Sequence, residues 1–301
     1  MRTRVSLGRF LRRFARHRLA VASALLLVIL AGAALAAPLI EAQLGLDPTA
    51  VSLLDRFGPP SFDHPLGTDE LGRDVLVRLL YGGRVSLFVG VAAALASAVI
   101  GTGIGLLAGY YGGRLDDLLM RVTDGLIALP LLPLLIVLGA IDLTRLGIPP
   151  EVAGSEDASL IRIVVLVALF GWTTVARLVR GATLSARKRD YVLAAVAMGA
   201  GSRRIMLTHI LPNVAAPAVV ATTLTVGNVI LLESVLSFLG LGIQPPLPSW
   251  GNMLTNAQEQ VGSAPMLAVW PGLLIFLTVI AVNLLGDGLQ DALDPRTSGK
   301  R

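Results

Sequence analysis

Cysteine is absent from the 301 residues. That removes any disulfide framework and any thiolate metal site, and leaves the redox compartment without a marker. Charge is scarce as well: Asp, Glu, Lys and Arg make up 15% of the chain, against about 25% in a soluble domain. Nucleotide-binding chemistry is missing. A phosphate-binding loop needs Gly, four residues, then Gly-Lys-Ser/Thr. The sole Gly-Lys is Gly299-Lys300, with Asp294 in the first glycine's place and Arg301 in the hydroxyl's. There is no Gly-x-Ser-x-Gly, no His-Glu-x-x-His and no EF-hand, and His17, His64 and His209 are far apart. Gly103-Ile-Gly105-Leu-Leu-Ala108 matches a dinucleotide fingerprint only formally, because it sits inside an apolar run with no preceding strand. The expectation is a chain that is not an enzyme, with no catalytic residue, no metal site and no cofactor of its own.

What the chain has is apolar length. Hydrophobic residues make up 54% and mean hydropathy is +0.74. A helix needs about 20 apolar residues to cross a bilayer, and six spans can be drawn: Leu19–Ile40, Val85–Tyr110, Leu118–Ile141, Ile161–Val179, Val214–Leu239 and Pro265–Leu285. The segments between them are too short for a large soluble core. The fold class expected is therefore an all-α integral membrane protein with six transmembrane helices. With the N-terminus inside the cell, nineteen Lys and Arg fall inside and six outside (Arg56, Arg73, Arg78, Arg84, Arg145 and Arg162). This is the positive-inside asymmetry, and it places both termini in the cytoplasm. Most carboxylates, among them Asp47, Asp55, Asp63, Asp69, Glu70 and Asp74, fall outside. The net charge of +5 is thus a product of topology, and nucleic acid is not needed to explain it.

The first span has a rival reading. Seven arginines, an apolar run and Ala34-Leu-Ala36-Ala37 resemble a cleaved signal peptide, but the run exceeds a signal core and fits a full span. After it, Leu71, Val75 and Leu79 recur at four-residue spacing, with Arg73, Asp74 and Arg78 off the stripe. That pattern predicts a short amphipathic helix on the outer membrane face, leading into the second span. Ala93, Ser97, Gly101, Gly105 and Gly109 form a small-residue stripe through the second span, which suits close helix approach. Pro130 and Pro133 remove backbone donors from the third span and should bend it.

The inner loop from Arg177 to Asn213 is ordered by its own residues. Asp190 can cap a short helix, Gly199 or Gly201 can end it, and Ser202 can cap a second. Pro212 then marks the start of the next apolar run. The first helix presents Tyr191, Ala194, Ala195 and Met198, a face of mostly small residues that allows close docking in a partner's groove. Arg187, Lys188, Arg189, Arg203 and Arg204 surround it.

This stretch resembles the coupling loop of membrane subunits of binding-protein-dependent ABC importers. That family's pattern is Glu-Ala-Ala, three residues, Gly, nine residues, Ile, any residue, Leu-Pro. Ala194, Ala195, Gly199, Leu211 and Pro212 match it, while Leu193 replaces the Glu and His209 the Ile. Both departures resemble the dipeptide/oligopeptide/nickel branch. So do three further segments: His64-Pro-Leu-Gly-Thr-Asp-Glu-Leu-Gly-Arg-Asp-Val-Leu; Ser237-Phe-Leu-Gly-Leu-Gly-Ile-Gln-Pro-Pro with Pro248-Ser-Trp-Gly-Asn-Met; and Leu285-Gly-Asp-Gly-Leu-Gln-Asp-Ala-Leu-Asp-Pro295. The resemblance implies a permease of type I ABC importer architecture, in a bacterial or archaeal cell (inner) membrane. It implies three kinds of partner: a second, similar permease, two cytoplasmic ATPase subunits that bind ATP and Mg, and an extracytoplasmic solute-binding protein. It assigns coupling to Ala194, Ala195, Gly199, Leu211 and Pro212; Gly201 of the turn is expected to join them, and Asp190 or the arginines are candidates to stand in for the missing Glu. The chain then divides into an N-terminal arm, first helix and external segment (1–83), a five-helix core holding the coupling loop (84–288, loop 177–213), and a tail (289–301).

Polar groups within apolar spans are costly and usually face the bundle interior or a water-filled cavity. Asn228, Glu233 and Asn283 are the candidates, as path lining or as inter-helix contacts. The substrate implied by the resemblance is peptide, with nickel or another small solute as the alternative. A stand-alone secondary transporter or channel would want charges in several spans and inverted repeats, neither of which is evident. A purely structural scaffold would leave the inner loop without a use.

Overall fold

The structure is a computed structural model that describes residues 7–293. Arg2 and Arg4, the 294–301 end of the tail with Gly299-Lys300, and the close of the 285–295 segment lie outside the described residues. In chain order the helices are α1 (Leu7–Phe14), α2 (Arg18–Leu35), α3 (Ala37–Leu44), α4 (Val75–Tyr111), α5 (Gly113–Ala128), α6 (Leu131–Gly139), α7 (Pro150–Ala153), α8 (Glu156–Ala186), α9 (Asp190–Ala197), α10 (Ser202–Arg204), α11 (Leu211–Phe238), α12 (Trp250–Glu259) and α13 (Met266–Leu293). Among the described residues there is no strand.

Five helical stretches are long and apolar enough to cross a membrane: Arg18–Leu35, Val75–Tyr111, Glu156–Ala186, Ser202–Phe238 and Met266–Leu293. The sixth is broken. The sequence draws one span over 118–141, whereas the structure has α5 and α6 meeting at 83°. Pro130 takes the cap position of α6, which pushes Leu129 into extended backbone and ends α5. Pro133 lies in the first turn of α6, where its missing N–H costs nothing, and it bends nothing. The first span is also shorter than drawn. It ends at Leu35, and Pro38 opens the separate α3.

The small-residue stripe builds a close helix pair. An added Cβ at Gly101 would lie 2.5 Å from the Trp172 carbonyl oxygen, at Gly105 2.6 Å from the Ala176 oxygen, and at Gly109 2.6 Å from Thr183 Cβ. α4 and α8 therefore touch backbone to backbone, the packing that small residues permit in lipid. Ala93 and Ser97 are buried on the same face.

The external segment corrects an expectation. There is no separate amphipathic helix over 71–80. Asp74 caps α4 by accepting the Val77 N–H at 2.8 Å, and the helix then runs unbroken to Tyr111. Arg73 and Arg78 are buried instead of facing water. Both reach Asp69, Arg73 Nε at 2.7 Å and Arg78 Nε at 3.3 Å, and Arg78 also donates to the Pro48 carbonyl at 3.3 Å. A charged side chain can leave water when it gains partners of this kind. An apolar stripe counted from the sequence does not see them.

Candidate functional site

Three features stand out: the inner loop, a cavity between helices, and one buried carboxyl group.

In the inner loop both caps sit one residue from their expected places. Arg189 holds the extended cap position of α9 and Asp190 is the first helical residue, where its charge suits the helix N-terminus without a capping bond. Gly201 is the cap before α10 and Ser202 the first residue of that helix. The end of α9 fits the sequence reading. Gly199 has φ +78°, the Ala200 N–H bonds the Ala195 carbonyl at 3.0 Å, and the Gly199 N–H bonds the Val196 carbonyl at 2.9 Å. That pair is the Schellman stop, which needs a left-handed residue and hence favours glycine.

The faces of α9 differ from the expectation at Ala195. It is 2% exposed and packs with Val192, Ile205, Ile210 and Val214 against Val179 and Ala186 of α8. Tyr191, Leu193, Ala194, Val196 and Met198 point outward, with Met198 80% exposed. Lys188, Arg189, Arg203 and Arg204 are exposed around them. Arg187 is not part of that rim: it donates to the Gly109 and Tyr110 carbonyls at 3.1 and 3.0 Å, tying the loop to the end of α4. Nearby, Arg180 grips Asp116 with two nitrogens, Nη2 at 2.6 Å, and Arg177 bonds Asp124.

The second helix of the loop is not a separate unit. α10 passes into a π-helical turn, Ile205–Ile210, and then into α11. The Leu211 N–H reaches back five residues to the Met206 carbonyl, a wider turn that brings Pro212 into the helix without a break. Leu211 is half-buried against the inner core and Pro212 is exposed.

A cavity of about 750 Å³ lies between α6, α8 and α11, with the end of α13 at its inner side. On α11 it is lined by Asn213, Pro217, Ala221, Thr225, Asn228 and Leu232, one stripe of the helix. Thr173, Thr174 and Phe170 face them from α8, and Leu131 and Leu135 from α6. None of its described lining residues is charged. Asn228 thus lines the cavity. Asn283 does not line the cavity. Its amide bonds the Val279 carbonyl of its own helix at 2.9 Å, and it lies against Gly227.

Glu233 is off the cavity too, and 0% exposed. Ser86 of α4 donates to its Oε2 at 3.0 Å and Ser237 donates to its Oε1 at 2.7 Å. Of the two roles open to it in the sequence, it takes the inter-helix one. Sequence reasoning missed Ser86, Ser237 and the external segment they hold. The available signal was the i, i+4 spacing of Glu233 and Ser237 beside a Gly-rich stretch.

The profile described as "Binding-protein-dependent transport system inner membrane component" matches residues 101–299, and that of the "N-terminal TM domain of oligopeptide transport permease C" matches residues 6–60. The chain is 43% identical to the glutathione transport system permease protein GsiD of Pectobacterium atrosepticum, over 95% of this chain and 90% of the relative. It is 42% identical to the dipeptide transport system permease protein DppC of Bacillus subtilis, over 95% and 84%. It is 37% identical to the oligopeptide transport system permease protein OppC of the same organism, over 94% and 88%.

Proposed function

The chain belongs to the family of inner membrane components of binding-protein-dependent transport systems, and on that premise we propose that it forms half of a path by which an ABC importer carries peptides. It is a multi-pass permease of the inner membrane, a transport component. The relatives named for glutathione, dipeptide and oligopeptide transport support peptide as the cargo class. The remaining machinery is a second permease, two ATPase subunits that bind ATP and Mg, and a solute-binding protein on the outer side.

The carrying observation is the outward face of α9. Tyr191, Leu193, Ala194, Val196 and Met198 form an apolar surface within a basic rim, held on a well-packed inner core. A chain without a nucleotide-binding motif must take its energy through contact, and this is the surface offered on the cytoplasmic side. With Leu193 in place of the family's Glu, the docking is apolar at its centre, and Arg203 and Arg204 supply charge at the edge. Closure of the ATPases on ATP moves α9. Gly199, Gly201, Leu211 and Pro212 transmit that motion to α11, and the path alternates between its inner and outer openings, a population shift driven by the partner's ligand. Asn228 lines the path. Glu233 and Asn283 serve helix contacts.

Co-purification with the ATPase subunits tests this directly. Met198→Asp and Leu193→Asp place charge on the exposed face and are expected to abolish co-purification while membrane insertion is unchanged. Retained binding in both variants would refute α9 as the docking element.

A further inference from the structure

At the outer end of the cavity lies an apolar cluster. It contains the lining residues Leu135, Val167 and Val229, and the external segment after α11 inserts Ile243 into it, with Leu247 packed alongside. Ile243 is held by polar bonds on both sides. Its carbonyl accepts from Asn252 Nδ2 at 3.2 Å, and the same amide reaches the Leu247 carbonyl at 2.8 Å. Its N–H donates to Ser237 Oγ at 3.0 Å, and the Ser237 hydroxyl donates in turn to Glu233 Oε1. A second arm mirrors the first: the Trp250 N–H donates to Ser86 Oγ at 3.2 Å, and Ser86 donates to Glu233 Oε2. A hydroxyl has one proton to give. Each serine takes an N–H from the external segment and spends its proton on the carboxyl group.

The seating leaves no slack. An added Cβ at Gly242 would lie 2.1 Å from Ser237 Oγ, at Gly251 2.6 Å from Ser234 Cα, and at Gly83 2.9 Å from the Trp250 ring. The Trp250 indole N–H bonds the Leu79 carbonyl at 2.9 Å. Packing alone does not call for an acid at position 233, since an apolar side chain would fill the space without the cost of a buried carboxyl. What an acid adds is two acceptors that join both arms.

We infer that Glu233 is the positioning residue of the outer gate: through Ser237 and Ser86 it locks the external segment 239–259 onto α11 and α4, keeping Ile243 seated in the seal. The helix carrying Glu233 continues without a break from the inner loop, 37 residues from Ser202 to Phe238 or about 55 Å. Motion delivered at α9 therefore reaches the seal along one rod. This inference rests on the alternating-access reading above.

The test uses the complete transporter in proteoliposomes with a cysteine at Leu232, the outermost α11 residue lining the cavity. The chain has no cysteine of its own. Labelling by a membrane-impermeant maleimide from the outside is followed with and without ATP. Glu233→Ala is expected to raise nucleotide-free labelling severalfold and to abolish uptake, with assembly and basal ATP hydrolysis unchanged. Glu233→Gln keeps one acceptor oxygen and should fall between. Ser237→Ala, which cuts only the Ile243 arm, should leak less than Glu233→Ala. An assembled Glu233→Ala transporter that labels like the unmodified one overturns the inference. So does failure of Glu233→Ala and Glu233→Gln alike to assemble, since Glu233 would then serve folding only. If only Glu233→Gln assembles, its labelling decides: a rise supports the gate and no change refutes it. If Leu232→Cys with Glu233 intact shows no ATP-dependent change in labelling, the alternating-access reading itself fails.

Discussion

Ala194 and Ala195 are neighbours with opposite surroundings: Ala194 is exposed on α9, and Ala195 packs on Ile205 and Ile210. Ala194→Asp should therefore remove ATPase co-purification with no loss of thermal stability. Ala195→Asp buries a charge, costs several kcal/mol, and should lower the melting temperature as well. Equal melting temperatures would contradict the assignment of faces. Gly199 is constrained by its backbone, since no atom lies within 4 Å of an added Cβ and the cost arises from φ +78° alone. Gly199→Ala should cost about 1–2 kcal/mol of local stability. Gly199→Trp is expected to abolish coupled transport while insertion is normal, and normal transport by that variant would remove Gly199 from the coupling unit. In the cavity, Asn228→Leu should cut uptake severalfold with co-purification intact, and unchanged uptake would take Asn228 off the path. The spacing made the inner helix and its glycine stop legible in the sequence, but not the faces of that helix. α9 has eight residues, apolar on nearly every side, so no contrast of polarity marks which alanine is inside. Glu233 was visible as an anomaly in an apolar run. Its partners, Ser86 and the external segment, are distant in sequence, and only the fold brings them to it.

Among the elements, the close approach along the second span was read from its stripe, because small residues at four-residue spacing suit close packing in lipid; that its partner is α8 came from the fold. Gly101→Val would place a side chain against the Trp172 backbone and is expected to cost about 1–3 kcal/mol by overpacking. Thermal unfolding in detergent measures that cost, and an unchanged midpoint would deny the close approach. The kink in the third span was foreseen, but its size was not: Pro130 falls at a helix start, where it ends one helix and begins another instead of bending a single one. Pro212 lies where the next apolar run begins, as its place in the sequence suggests. The second short helix of the loop was expected to be separate, yet the π-helical turn before Pro212 widens the ladder enough for the chain to continue into α11. The external helix was misplaced because periodicity counts apolar residues and ignores buried ion pairs such as Arg73–Asp69.

At the scale of the whole molecule, the sorting of charge, the apolar spans and the absence of any nucleotide motif lead to one arrangement. In the proposed arrangement, a path nearly free of charge is worked from the cytoplasmic side by a docked surface. A lone transporter would need to couple its own gradient, and the described cavity lining holds no ionisable group to do so. The decisive measurement is uptake of a labelled dipeptide into proteoliposomes, with the chain alone and with its full set of partners. Uptake should be absent from the chain alone and should require the second permease, both ATPases, the binding protein and ATP together. Saturable uptake by the purified chain without an ATPase would contradict it.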